Sequence, residues 1–201
     1  MSAPAHVAIL LAAGASARLG WPKALVEIDG EPLIRRAARQ LVATQPAALL
    51  VVTGEPLLGA RIAAALAGID TRRVACEDWA TGMGASLASG LRAAGTLPVD
   101  GALVCPCDLL HLSAGRLVEL LDAWRAAPAR PAACRYDGVV GIPAVLPRAA
   151  FTSAAASGGD RGARDWLRAQ AAVSVVDAPE LALDLDHRGQ ARDLVPPRRA
   201  T

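Results

Sequence analysis

The sequence predicts an α/β fold, a three-layer sandwich in which a mostly parallel sheet carries helices on both faces. Short apolar runs recur along the chain and are separated by stretches with helical spacing. These runs are apolar at almost every position, as in strands buried on both faces, where a half-exposed strand would alternate. The first run ends in a loop rich in small residues, the usual junction of a strand with a following helix in such folds.

Val7 to Ala12 reads as the first buried strand, followed by a Gly/Ser/Arg loop from Ala13 to Lys23. Pro32 opens a helix running to about Thr44, because proline fits a first helical turn. Ala48 to Thr53 is the next strand and Pro56 to Ala67 the next helix. A short strand over Arg73 to Cys76 precedes a small-residue helix over Met83 to Ala93. Gly101 to Cys105 is a buried strand, and Ser113 caps a helix reaching about Ala126. The second half is less regular. Ala132 to Tyr136 and Gly141 to Leu146 read as strands, and Pro143 sets the latter at an edge or makes it irregular. Arg148 to Ala156 and Arg161 to Ala171 read as helices, Val173 to Val176 as a strand, and Leu181 to Leu185 as an extended segment before a short terminal helix. No internal repeat or long linker divides the chain, so one domain is expected over 1–195, with 196–201 as a flexible tail.

The chain has 201 residues, enough to bury a sizeable core. With 21 basic and 19 acidic residues the formal charge is +2, and no basic field of the kind that binds nucleic acid is expected. The longest apolar runs, Val7 to Ala13 and Ala47 to Val52, fall far short of the roughly 20 residues that cross a bilayer. Met1 to His6 has no basic n-region, so a cytoplasmic enzyme or binding domain is expected. The four cysteines, Cys76, Cys105, Cys107 and Cys134, follow neither a zinc nor a disulfide pattern. Cys105 and Cys107 share one strand face, either as a redox pair or, the better reading, as small buried hydrophobes.

The stretch Leu11-Ala12-Ala13-Gly14-Ala15-Ser16-Ala17-Arg18-Leu19-Gly20-Trp21-Pro22-Lys23 carries the chemistry. Gly14 and Gly20 let backbone approach a ligand closely, and successive N–H groups form an anion-binding concavity. Arg18 and Lys23 add positive charge where a triphosphate would lie. Ligands of open parallel sheets sit beyond the carboxyl ends of the strands, where this loop falls. It is neither a Walker loop nor a dinucleotide fingerprint, because both glycine spacings are missing. Asp108 follows the strand Gly101 to Cys105 and should project at the same edge. Asp184 and Asp186, two residues apart, share a face if their segment is extended.

This loop resembles the signature of nucleotidyltransferases that activate sugars, isoprenoid precursors and molybdenum cofactor. More narrowly it resembles the molybdenum cofactor cytidylyltransferase-like (MobA-like) family, whose guanylyltransferase relatives usually carry glycine at the position of Ala13. Trp79-Ala80-Thr81-Gly82-Met83-Gly84-Ala85-Ser86-Leu87, Gly141-Ile142-Pro143, Gly159-Asp160-Arg161-Gly162-Ala163-Arg164 and Asp184-Leu185-Asp186 continue the similarity in the family's order, over about Val7 to Leu194. The resemblance implies a Rossmann-like sandwich of the nucleotide-diphospho-sugar transferase type. It implies a nucleotide held by Leu11, Ala12, Ala13, Gly14, Ala15, Ser16, Arg18, Lys23, Gly82, Met83, Ser86 and Asp108, with Arg18, Lys23 and Asp108 catalytic. Magnesium, or manganese in its place, would be held by Asp108 and by Asp186 or Asp184, Asp186 being the better match. Gly141, Pro143, Asp160 and Arg161 would face the acceptor, where Arg161 or Arg164 meets a phosphate. Each motif also has a plain structural reading: a tight turn for the loop, a helix start for Gly82 to Ser86, a cap for Asp108 and a capped helix start at Asp160.

The chain departs from the family at Asp108-Leu109-Leu110, where Asp-Gln-Pro or Asp-Met-Pro is usual, and at Asp186-His187-Arg188, where Asp-Thr-Pro is usual. The implied activity is transfer of CMP from CTP to the terminal phosphate of molybdopterin, releasing pyrophosphate, with a molybdenum hydroxylase as a receiver of the product. Two alternatives remain. One keeps the fold and uses GTP or a sugar phosphate. The other, motivated by Leu109-Leu110, is a non-catalytic nucleotide-binding factor in the maturation of a molybdenum enzyme.

Overall fold

The computed structural model describes residues 3–14, 22–159 and 162–182. Its central strand, β1 (His6–Leu11), is buried at every position, and its side chains part to two cores. Ala8 and Leu10 join one apolar cluster, and Val7, Ile9 and Leu11 join another across the sheet. That division follows from the two-residue side-chain period of a strand and explains the unbroken apolar run.

A small hairpin, β2 (Glu27–Ile28) and β3 (Glu31–Pro32), leads into α1 (Leu33–Val42). There follow β4 (Leu49–Thr53), α2 (Pro56–Ala65), β5 (Arg72–Ala75), α3 (Met83–Ala94), β6 (Gly101–Pro106) and α4 (Ala114–Arg125). The rest comprises β7 (Ala132–Tyr136), β8 (Val139–Pro147), α5 (Phe151–Ala156), α6 (Ala163–Arg168) and β9 (Ser174–Asp177). Seven strands form one sheet in the order β5-β4-β1-β6-β8-β7-β9. All neighbours are parallel except that β8 runs against both β6 and β7. Helices α1, α2 and α4 bury Ile34, Leu41, Ile62, Leu120 and Trp124 on one face. Helices α3, α5 and α6 bury Leu87, Leu91, Phe151 and Trp166 on the other.

The expected three-layer α/β sandwich is therefore present, with most element limits within two residues of the sequence reading. Ser113 caps α4 as expected: its Oγ accepts from the Arg116 N–H at 3.3 Å, and Gln40 on α1 accepts from the Ala114 N–H at 2.8 Å. Of the two readings of Pro143, an edge strand or an irregular one, the second holds, because β8 lies between β6 and β7. Pairing to β7 jumps from Ala133↔Ala144 to Cys134↔Gly141, so Ile142 and Pro143 stand in the irregularity and the missing proline N–H breaks no ladder bond there. Leu181 and Ala182 belong to a 3-10 turn (Pro179–Ala182), not to an extended segment. Leu181, fully buried, pins that turn to the core. The expected terminal helix and the tail at 196–201 lie outside the described residues.

Among the described residues no helix is long and apolar enough to cross a membrane. All four cysteines are free and buried. Burial pushes the Cys105 and Cys107 thiols up and the Cys134 thiol to about 12, so all three stay protonated and behave as the small hydrophobes of the better reading.

Candidate active site at the carboxyl edge of the sheet

Strands β1, β4, β5 and β6 all end at one edge. Because β8 is reversed, its beginning lies at this edge too, so Gly141 and Pro143 stand level with the end of β6. Past β1, Ala12 and Ala13 are still buried and Gly14 emerges exposed. Ala15, Ser16 and Arg18 of the expected loop lie outside the described residues. The chain returns at Pro22, whose carbonyl accepts from the Leu25 N–H at 3.1 Å, closing a turn that holds Lys23.

Lys23 Nζ donates to Asp108 Oδ2 at 3.3 Å, with 15% and 24% of the two side chains exposed. Eighty-five residues apart in sequence, the two residues meet because β6 lies beside β1 and delivers Asp108 next to the loop that follows β1. A cation and a hard carboxylate oxygen side by side at a strand edge can hold phosphate and a divalent ion together.

The third wall is the N-terminus of α3. Gly82 precedes it at φ +121°, a value that favours glycine. Gly84 N–H donates to the Gly159 carbonyl at 2.9 Å, and any Cβ at Gly84 would meet Gly158 backbone at 2.5–2.7 Å. Met83 lies against Gly162, and Ser86 is buried one turn further on. Met83 and Gly84 thus meet Gly162 and Gly158–Gly159, while Asp160 and Arg161 lie outside the described residues. Arg164 Nε lies 3.9 Å from where a Cβ at Gly141 would stand, bringing together the two motifs expected to face the acceptor. Tyr136 donates to the Ile142 carbonyl at 2.7 Å; burial raises its phenol to about 12, against the opposing charge of Arg164.

Sequence reading missed one part of this wall. A Cβ at Gly54, just past β4, would strike Trp79 at 2.5 Å and the Ala13 carbonyl at 2.8 Å. Gly54 therefore lets Trp79 close over the end of β1. The available signal was a glycine directly after an apolar strand at the ligand edge.

Asp108 supplies a suitable oxygen donor for magnesium or manganese, ions often held by one or two carboxylates plus phosphate oxygens. Among the described residues there is no group of three or more His, Cys, Asp or Glu that could hold a metal, and Asp184 and Asp186 lie outside them.

Comparison with known proteins shows the family and the fold. Residues 8–174 match the family model described as MobA-like NTP transferase domain. The chain is 34% identical over 176 residues to nicotine blue oxidoreductase of Paenarthrobacter nicotinovorans, covering 82% of each. It superimposes on Rv0371c of Mycobacterium tuberculosis H37Rv with TM-score 0.75 and 26% identity, covering 94% of this chain and 97% of that one. The manganese complex of Rv0371c gives TM-score 0.75 at 24% identity, with the same coverage. Molybdopterin-guanine dinucleotide biosynthesis protein A of Archaeoglobus fulgidus gives TM-score 0.68 at 15% identity, over 94% and 96%. The fold is that of the nucleotide-diphospho-sugar transferases.

Proposed function

The chain belongs to the MobA-like NTP transferase family, and from that premise we propose that it transfers CMP from CTP to the terminal phosphate of molybdopterin. The observation that carries this reading is the Lys23–Asp108 pair, which joins the glycine loop to the end of β6 at 3.3 Å. The triphosphate lies along Ala12 to Lys23, and cytosine and ribose lie towards Gly82, Met83 and Ser86. Trp79, packed over Gly54, forms the side of that compartment.

An oxygen of the acceptor phosphate attacks the α-phosphorus in line. A new P–O–P bond forms, the α–β bridge breaks, and pyrophosphate leaves with the electron pair. A phosphate monoester is already anionic at neutral pH, so no general base is required. Lys23 and Arg18 neutralise charge that builds on the departing oxygens, so positioning and electrostatics supply most of the rate. Magnesium, or manganese, would be held by Asp108 with Asp186 or Asp184 and would offset phosphate charge. The manganese complex of the Rv0371c structure supports a divalent ion. Gly141, Pro143, Asp160 and Arg161 face the acceptor.

Calorimetry with CTP, GTP and ATP, with and without magnesium, tests the donor. Selective, magnesium-dependent CTP binding supports the reading, whereas GTP preference overturns the choice of base. Pyrophosphate release with molybdopterin tests the transfer, and an Asp108→Asn protein with wild-type turnover would refute the role of the carboxylate.

A second reading is favoured by the relative named an oxidoreductase, at 34% identity over most of both chains. On that reading the chain reduces nicotine blue with electrons from an added donor. Loss of nicotine blue colour in the presence of a two-electron donor, with no pyrophosphate release from CTP, would select it.

A further inference from the structure

The residues after Asp108 are where the chain departs from its family, and their packing explains what the departure achieves. Leu109 and Leu110 are consecutive yet join different apolar clusters. Leu109, 6% exposed, points into the main core under α1 and α4. Leu110 packs on a small separate cluster of Val26 and Leu33, against which Ile28 packs as well. Those three residues follow Lys23 through its turn, the β2–β3 hairpin and the first residue of α1. The Val26 N–H donates to the Lys23 carbonyl at 3.0 Å, and the Leu33 N–H donates to the Val26 carbonyl at 2.9 Å, so the cluster is tied by backbone to the residue that carries the cation.

A partly exposed ion pair is worth only about 0–1 kcal/mol and does not by itself hold two loops in register. We propose that Leu110 is a positioning residue: through Val26, Ile28 and Leu33 it latches the Asp108 turn to the Lys23 turn, so that carboxylate and ammonium move as one unit. The consequence of the latch for catalysis rests on the proposed transfer reaction; its consequence for the turn does not. A partly open pocket of about 160 Å³, lined by Glu31, Arg36, Arg39 and Gln40 as well as Leu109, Leu110 and Leu112, adjoins the latch, so Leu110 borders free space into which an unbranched side chain of similar volume can extend.

The test compares Leu110→Ala with Leu110→Met in the full chain. Amide hydrogen exchange reads the latch directly at Val26 and Leu33, with Ile9 and Leu10 in β1 as internal controls. In Leu110→Ala, exchange at Val26 and Leu33 should quicken by about tenfold while the β1 amides hold their protection, as a local opening requires. In the transfer assay kcat should fall by roughly ten- to a hundredfold, the scale on which a displaced catalytic group is felt, with KM for CTP changed much less. Leu110→Met should restore both. Unchanged exchange at Val26 and Leu33, or quickened exchange with wild-type kcat, overturns the proposal. A wild-type protein that transfers no nucleotide overturns the proposed function instead, and the exchange measurement still decides whether the latch exists.

Discussion

Replacing Gly84 with alanine should loosen the join between α3 and the turn that follows α5. In an ordinary helical position this substitution stabilises by about 0.4–1 kcal/mol, because it restricts the unfolded chain. Here the new methyl would stand 2.5 Å from the Gly158 carbonyl carbon and 2.7 Å from the Gly158 and Gly159 oxygens. All three are backbone atoms with no rotamer to change, so the strands of the contact must separate. Separation costs the Gly84 N–H to Gly159 carbonyl hydrogen bond, now 2.9 Å, worth about 1 kcal/mol net. Residual overpacking adds about 1–3 kcal/mol. Setting these against the gain in chain entropy leaves a loss of about 2 kcal/mol, which for a chain of this size lowers Tm by roughly 4–8 °C. Urea unfolding followed by far-UV circular dichroism measures it. A Gly84→Ala protein as stable as wild type, or more so, would show that the join carries no constraint. In turnover assays the same variant should raise KM for the acceptor more than KM for the nucleotide, since the displaced segment leads into Asp160 and Arg161.

Removing the cation with Lys23→Met should lower kcat/KM by about 10²–10³-fold, the usual effect of losing one charge-stabilising group, while stability shifts by less than about 1 kcal/mol because the pair is partly exposed. Gly101→Ala should cost about 1–3 kcal/mol, read as a lowered urea midpoint, because its Cβ meets the buried Trp124 ring at 2.5 Å; activity should survive, Gly101 being at the opposite end of β6 from Asp108. His6 is buried and beside the positive Arg125, which together lower its imidazole to about 4 from 6.5. Thr44 Oγ donates to the Leu41 carbonyl at 2.7 Å, so it accepts from His6 Nε2–H at 3.0 Å and the ring is neutral when folded. The unfolded chain therefore takes up the proton first: stability from this group is complete above pH 6.5 and is lost as pH falls to 4, by up to about 3 kcal/mol. His6→Gln should flatten that slope; an equally steep acid loss in the variant would refute the assignment.

The central strands were legible because Val7 to Ala12, Ala48 to Thr53 and Gly101 to Cys105 are apolar throughout, a pattern that few structures other than a doubly covered strand produce. The Lys23–Asp108 meeting was half legible. Each residue could be placed at the ligand edge by its position after a strand, but their pairing depends on β6 lying beside β1, and no local signal in either segment specifies a neighbour. The β2–β3 hairpin was not read at all. Its strands have two residues each, too short for any period, although Asp29 and Gly30, both at positive φ, mark its turn. Pro143 signalled either an edge or an irregular strand and could not decide between them; the ladder steps over Ile142 and Pro143, so the irregular strand is the outcome. Leu109 and Leu110 read in the sequence only as a departure that favoured a non-catalytic alternative; only the tertiary packing shows the two side chains going to separate clusters.

The reversal of β8 has one more consequence. In a sheet built only from parallel strands, no strand can turn straight back into its neighbour, and every connection is a crossover. Here β7 turns straight back into β8 through Asp137 and Gly138, two exposed residues at positive φ, and that tip rises at the carboxyl edge of the sheet, above Gly141. A hairpin tip can be lengthened or exchanged without disturbing the strands beneath it. The fold thus keeps a site for grafting beside the residues proposed to face the acceptor and separate from Lys23 and Asp108, so that tip can be varied while the Lys23–Asp108 pair is inherited unchanged.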